Sequence, residues 1–338
     1  MTADAPGPVA AIDCGTNSTR LLVVAGDGTV LERHMRITRL GEGVDATRKL
    51  SPEAIGRTVA VLGEYRRLMD RYGVVRARLV ATSAARDATN AEEFLSAAAD
   101  ATGLVPELLS GRDEGELSFA GATAHVPADV VGPGPVLVVD IGGGSTELVA
   151  GAMPVGPSLT GPGGPESAAV SAVSMDVGCV RVTERFLLHD PPLSSELERA
   201  RAAVDADLDA ARRGLPSLMP GGLLIGLAGT VSTLAALDQG LASYERAAVH
   251  HAVLPRAAVI GWLRRLAGED SRSRLARPGM VPGRADVIVG GVLILDAVMA
   301  AFDRASCLVS EDDILDGLVA SLRSPASANR DQRERRAR

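Results

Sequence analysis

The chain has 338 residues, 46% hydrophobic and 23% charged, enough for two soluble globular domains and too apolar for disorder. Aromatic residues make up only 2%, so the core must be built from Ala, Val and Leu, and aromatic platforms for single-stranded nucleic acid are lacking. A formal net charge of -7 argues against broad electrostatic attraction to DNA, RNA or an acidic membrane surface.

In chain order, a strand is expected at 9–14, a loop, and a second strand at 19–25. Asp27-Gly28 is a tight-turn dipeptide, and TVLERHMRITRL behind it reads as a third strand. Ser51 caps a helix with Pro52 at its first position and Glu53 in its first turn, running to about Tyr72. A strand (77–84), a helix near 91–101, a short strand in LVPELLSG and a helix from Arg112 to about His125 follow. The segment PADVVGPGP (127–135) is the best domain boundary. After it the plan restarts, with strands at 136–141 and 146–152, an insertion at 153–169 that reads as a mobile surface loop, and a third strand at 171–177 that leads into GCVRVTERF. A helix is expected from about Ser194 to Arg213, a strand at 223–229 and a helix at 230–237. The chain then reads as helical to Phe302, with VIVGGVLILDAVMAAF as a buried helix, too short and too charged at Asp296 for a membrane span. A strand at 306–310, a helix at 311–322 and a solvated tail at 324–338 complete the reading. Strands followed by alternating helices and strands make the fold α/β.

Two stretches carry the chemistry. VLVVDIGGGSTELVAGA and AAIDCGTNSTRLLVVAG superpose at an offset of 127 positions (140 minus 13), which sets Asp13 on Asp140, Gly15 on Gly142, Ser18 on Ser145 and Thr19 on Thr146. A strand that ends in Asp-x-Gly-x-x-Ser-Thr puts a carboxylate beside amides and hydroxyls at a sheet edge. Glycines let successive N–H groups converge on an anion, and the carboxylate can hold Mg²⁺, which bridges to phosphate. A dinucleotide turn would open a helix, whereas both stretches continue as strands. No Gly-Lys-Ser/Thr follows either loop, so neither is a Walker A loop. Asp140 is the candidate metal anchor and Asp13 its counterpart. Asn17, Ser18, Thr19, Gly142, Gly143, Gly144 and Ser145 are the candidate phosphate cradle, with Arg20 and Arg86 as candidate partners of phosphate oxygens. Lys49 is the only lysine, so an anion site must rely on arginine, amides and metal. Cys14, Cys179 and Cys307 form no CxxC pair, which points to a reducing cytoplasm, and Cys14 reads as a buried thiol. The N-terminal MTADAPGP carries no secretory pattern. The histidines show no metal spacing; adjacent His250 and His251 would point to opposite faces of a strand and read as structural.

DCGTNSTR, ATSAARDATN, LLSGRDEGELSF, VVDIGGGSTEL, SMDVGCVRVTE, GLAGTVSTLAA and RADVIVGGVLIL occur in that order across residues 13–295. With them the chain resembles the Ppx/GppA phosphatases, exopolyphosphatases and guanosine pentaphosphate phosphohydrolases. The resemblance implies a duplicated actin-like (ribonuclease H-like) fold, two lobes with a cleft between them, of the short, two-domain type. The lobes are expected at 1–127, which a C-terminal helix near 311–322 could complete, and at 133–310. The resemblance places the general base on Glu114 and an acid that orients water on Glu147. It places a second glycine segment, with Gly229 and Thr230, toward the substrate. It implies Mg²⁺, with Mn²⁺ as a substitute, and a homodimer as one assembly. Implied substrates are linear polyphosphate, cut at its terminal phosphoanhydride to release orthophosphate, or pppGpp. An actin-like phosphotransferase and a non-catalytic polyphosphate or alarmone sensor are the alternatives of another class.

Overall fold

The structure, a computed structural model, describes residues 7–132, 134–153, 170–216, 218 and 221–324. The readings of 154–169 as a mobile loop and of 325–338 as a solvated tail lie outside these residues. The chain forms two compact units, one reaching Ser110 and resumed at Ile314, the other running from Gly111 to Asp313. It thus enters the second unit at Gly111, ahead of the Pro-Gly-rich stretch at 127–135.

The first unit opens with β1 (Val9–Cys14), β2 (Ser18–Val24) and β3 (Val30–Ile37), followed by the short α1 (Val44–Thr47) and α2 (Pro52–Arg71). The α2 start is fixed locally: Ser51 accepts from the Ala54 amide at 3.1 Å, and Pro52 needs no amide partner. Then come β4 (Arg76–Ala81), α3 (Ser83–Asp87), α4 (Ala91–Thr102) and β5 (Glu107–Leu108). The sheet order is β3-β2-β1-β4-β5, with β1–β3 antiparallel and β1, β4 and β5 parallel. One face of β1 and β2 (Ala10, Ile12, Cys14, Leu21, Val23) packs with residues of α2 and α4. The other face is covered by the last described helix, Ile314–Arg323, which packs on β1, β2 and β4.

The second unit begins with α5 (Gly111–Thr123) and continues through β6 (Val136–Ile141), β7 (Thr146–Gly151) and β8 (Ser171–Met175). Next are α6 (Cys179–Phe186), α7 (Ser194–Arg212), β9 (Leu224–Leu227), α8 (Ala228–Asp238), α9 (Arg246–Val249) and β10 (Val253–Pro255). The unit ends with α10 (Arg256–Ala267), α11 (Ser271–Leu275), α12 (Ile288–Ala301) and β11 (Ser306–Val309); Ile314–Arg323 is then α13. The sheet order β10-β11-β9-β6-β7-β8 repeats the plan of the first, with β6–β8 antiparallel and β6, β9 and β11 parallel. One face carries the large core with α6, α7, α8, α10 and α12; the other is covered by α5. One strand plan occurring twice, each time with a broad helical layer on one face and a single helix on the other, is the duplicated actin-like α/β fold.

GCVRVTERF, which follows the third strand of the unit, forms the helix α6. Two expectations are corrected. Residues 238–302 are not helical throughout, because Val253–Pro255 pairs with β11 as an antiparallel edge strand. His250 and His251 are not in a strand: His250 ends α9, His251 turns with φ 63°, and their rings stack at 3.7 Å. The apolar stretch at 287–302 is the buried α12, whose Asp296 is held by Arg201 and Arg256. No described helix is long and apolar enough to cross a membrane.

Candidate active site

Each unit carries one acid-ended hairpin turn, and the two are built alike. In the first, the Gly15 amide donates to the Ser18 carbonyl at 3.0 Å; in the second, the Gly142 amide donates to the Ser145 carbonyl at 3.0 Å. In both, the carbonyls of the turn tip are taken by the segment after the third strand. Thr16 and Asn17 carbonyls accept from Gly41, Thr38 and Arg39, while those of Gly142 and Gly143 accept from Cys179, Val180 and Arg181. The Gly144 carbonyl accepts from Arg181 Nε at 2.8 Å. With the carbonyls drawn to one side, the Gly143 and Gly144 amides have no acceptor among the described residues. Adjacent unspent amides on a curled turn form a nest for an anion. Packing is so close that a Cβ on Gly178 would lie 2.3 Å from the Gly143 carbonyl oxygen.

The turns differ in what flanks them. Asp13 pairs in register with Arg20, and Asp140 with Glu147. Residues paired across antiparallel strands share a face, so the first unit has an acid–base pair where the second has two acids. Arg20 donates to Asp13 Oδ2 from Nε at 3.0 Å and from Nη2 at 2.7 Å. Asp13 thus holds Arg20 through Oδ2 alone, an ion pair that its expected counterpart Asp140 does not have at the matching rung.

In the second unit Asp140, Glu147 and Ser174 form one row across β6, β7 and β8. Ser118 of α5 donates to Asp140 Oδ2 at 2.7 Å, and Ser174 donates to Glu147 Oε1 at 2.7 Å. α5 lies on this face, where a Cβ on Gly115 would come 2.9 Å from Val149 Cγ2 and 3.5 Å from Glu147 Cβ. The contact sets Glu114 beside the row. Burial, then the charge of Glu114, then that of Asp140 push Glu147 well above the usual carboxylate range, against hydrogen bonds from Ser174 and Ser145. Glu116 points away, accepting from Arg112 Nε at 2.8 Å.

The remaining sequence candidates are placed as follows. Thr19 leaves the cradle: it pairs with Cys14, on the face opposite Asp13, and its hydroxyl shares a buried 2.9 Å hydrogen bond with Thr38. Cys14 is buried, and burial with the nearby Asp13 charge raises its thiol, so no thiolate is available. Arg86, at the end of α3, donates to the Leu109 carbonyl at 2.9 Å. Gly229 lies in the first turn of α8, after Ala228 with φ 66°, a left-handed conformation that strains a residue with a Cβ. Arg284 lies against it, donating from Nη1 to the Gly229 carbonyl at 2.8 Å and Thr233 Oγ1 at 2.9 Å; a Cβ on Gly229 would sit 2.3 Å from its Cζ. Thr230 is buried, its hydroxyl 2.1 Å from where a Cβ on Gly291 would stand, so it faces α12. Ser118, Ser174, Arg181 and Arg284 were not singled out in the sequence. Ser174 could have been found from the register and Ser118 from its i+4 spacing to Glu114.

Among the described residues no three His, Cys, Asp or Glu side chains form a closed metal cage. Mg²⁺ keeps several waters and asks for one or two carboxylates. The Asp140–Glu147 row, crowded by a third acid, fits that demand.

Comparison with known proteins identifies the family. Exopolyphosphatase 2 of Mycobacterium tuberculosis H37Rv is 42% identical over 332 residues, covering 93% of this chain and 98% of that protein. The crystal structure of an exopolyphosphatase-like protein matches with a TM-score of 0.83 at 36% identity, over 92% of this chain and 97% of the other. The Aquifex aeolicus Ppx/GppA family member matches with a TM-score of 0.73 at 32% identity, over 93% and 97%. The family model of the Ppx/GppA phosphatases matches residues 22–324, and the chain belongs to that family.

Proposed function

We propose that the protein is an exopolyphosphatase, hydrolysing the terminal phosphoanhydride of linear polyphosphate with release of orthophosphate. The observation that carries the reading is the row Asp140–Glu147 with Glu114 beside it, next to a turn whose Gly143 and Gly144 amides await an acceptor.

In this reading the Gly142–Ser145 turn binds the terminal phosphoryl oxygens through its amides, and the Asn17–Ser18 turn of the first unit is a further phosphate-binding turn. Asp13 holds Arg20 as a fixed guanidinium for phosphate. Asp140 and Glu147 would hold the divalent cation, which would supply positive charge against the phosphate and the acid row. Glu114 accepts a proton from the attacking water as its oxygen bonds to the terminal phosphorus. The bridging oxygen leaves with the shortened chain and keeps the bond's electron pair. Gly229 and Arg284 belong to a phosphate-facing segment of the same unit. The protein works in the cytoplasm without nucleic acid or membrane partners, and a homodimer is the assembly to test.

The test is orthophosphate release from polyphosphate and from pppGpp in parallel, with and without EDTA, for the parent and Glu114→Gln. The expected result is EDTA-sensitive release from polyphosphate, abolished in the variant while polyphosphate binding persists. Undiminished release by Glu114→Gln removes the base; preference for pppGpp reassigns the substrate.

A further inference from the structure

Hydroxyls on buried helices in this protein normally bond back to their own backbone. Thr58 donates to the Ala54 carbonyl, Thr102 to Ala98 and Thr123 to Phe119, each four residues back. Ser118 is a fully buried exception. Its four-back carbonyl belongs to Glu114, yet its hydroxyl leaves the helix and donates to Asp140 Oδ2 at 2.7 Å. Packing alone does not favour serine here, since alanine forms helix better and buries no polar group. Glu114 and Ser118 lie one turn apart on one face of α5, about 6 Å of rise. The helix that carries the proposed base thus also grips the proposed metal anchor, and Gly115 between them sets it against β7.

We propose that Ser118 is a positioning residue, holding the Asp140 carboxylate in the orientation that meets a divalent cation and tying it to the helix that bears Glu114. The inference rests on the reading of Asp140 as metal anchor. Outer hydrogen bonds to metal-binding carboxylates fix their orientation, and losing one weakens metal affinity about 10- to 100-fold.

The experiment titrates Mn²⁺ into the full-length, EDTA-stripped protein without substrate and follows free Mn²⁺ by electron paramagnetic resonance. Ser118→Ala should bind Mn²⁺ about 10- to 100-fold more weakly, whereas Ser118→Thr, which keeps the hydroxyl, should stay near the parent. A serine serving only to fill space would lower the melting temperature in EDTA and leave Mn²⁺ affinity alone. Parent-like affinity in Ser118→Ala, or equal losses in both variants, overturns the proposal. If Ser118→Ala fails to fold, Ser118→Cys, close in shape and a weak donor, should show the same loss; parent-like affinity there overturns the proposal too. Asp140→Asn separates the two levels. Parent-like Mn²⁺ binding by Asp140→Asn defeats the metal reading, while loss there with retention in Ser118→Ala defeats only the role of Ser118.

Discussion

Gly115→Ala isolates what the seating of α5 does for turnover. The new Cβ would stand 2.9 Å from Val149 Cγ2, 3.5 Å from Glu147 Cβ and 3.6 Å from Ala172 Cβ. Carbon atoms settle at about 3.5–4.0 Å, so the first turn of α5 must lift off β7 by roughly half an ångström or more. In stability, overpacking costs about 1–3 kcal/mol and the better helix former returns about 0.5–1 kcal/mol. The net loss should therefore stay below about 2.5 kcal/mol. Turnover should suffer more, because Glu114 and Ser118 both move with the turn. A misplacement of about 1 Å can cost 10²-fold, so roughly a tenfold fall in kcat is expected. Orthophosphate release at saturating polyphosphate and metal, beside urea unfolding of the same preparation, reads both quantities. A variant with parental kcat and a lowered urea midpoint would refute the argument, since α5 would then be packing and nothing more.

Other outcomes follow from the same geometry. Glu147→Gln should raise the stability of the metal-free protein as pH climbs from 5 to 8 in EDTA. The raised carboxyl of Glu147 lets the folded state keep a proton that the unfolded chain gives up above about 4.5, so parental stability falls with rising pH and the variant lacks that slope. His250 runs the other way: burial brings it down to about 4, against the pull of Asp312. The unfolded chain takes up a proton near 6.5 that the folded one refuses. Stability should decline as pH falls from about 6.5 toward 4, and His250→Gln should flatten that part of the urea-midpoint curve. Thr19→Val should keep parental kinetic constants and lose about 1 kcal/mol in urea unfolding, because its hydroxyl serves Thr38; a collapse of phosphate affinity would return it to the cradle.

Much of the fold was legible because the signals were long and local. The fully buried runs of β1 and β6 each carry the acid that the sequence marks one residue before their end. α2 shows its own cap and proline, and the offset between the two turns survives as matching registers and matching Gly-to-Ser hydrogen bonds. What escaped depends on distant partners. Three residues ending in proline have no readable period, and β10 exists only because β11 lies beside it. GCVRVTERF carried no assignment, and α6 starts where it does because carbonyls 142–144 receive its first amides and Arg181. Thr19 was misplaced because strand parity sends neighbours to opposite faces, so it could not share a side with Asp13. Ser118 shows in the sequence only as the residue one turn beyond Glu114, and its partner lies 22 residues on in another element.

The unlike rungs behind the two turns carry a consequence for the order of events. Asp13 against Arg20 sums to zero, so the first turn can receive a polyanion with no escort. Asp140 against Glu147, once both are ionised, sums to minus two, and in the proposed reading that rung would repel an anion until a cation offset it. On two frames of one plan, arginine at one rung and glutamate at the other would make the proposed anion binding conditional on metal in the second unit alone.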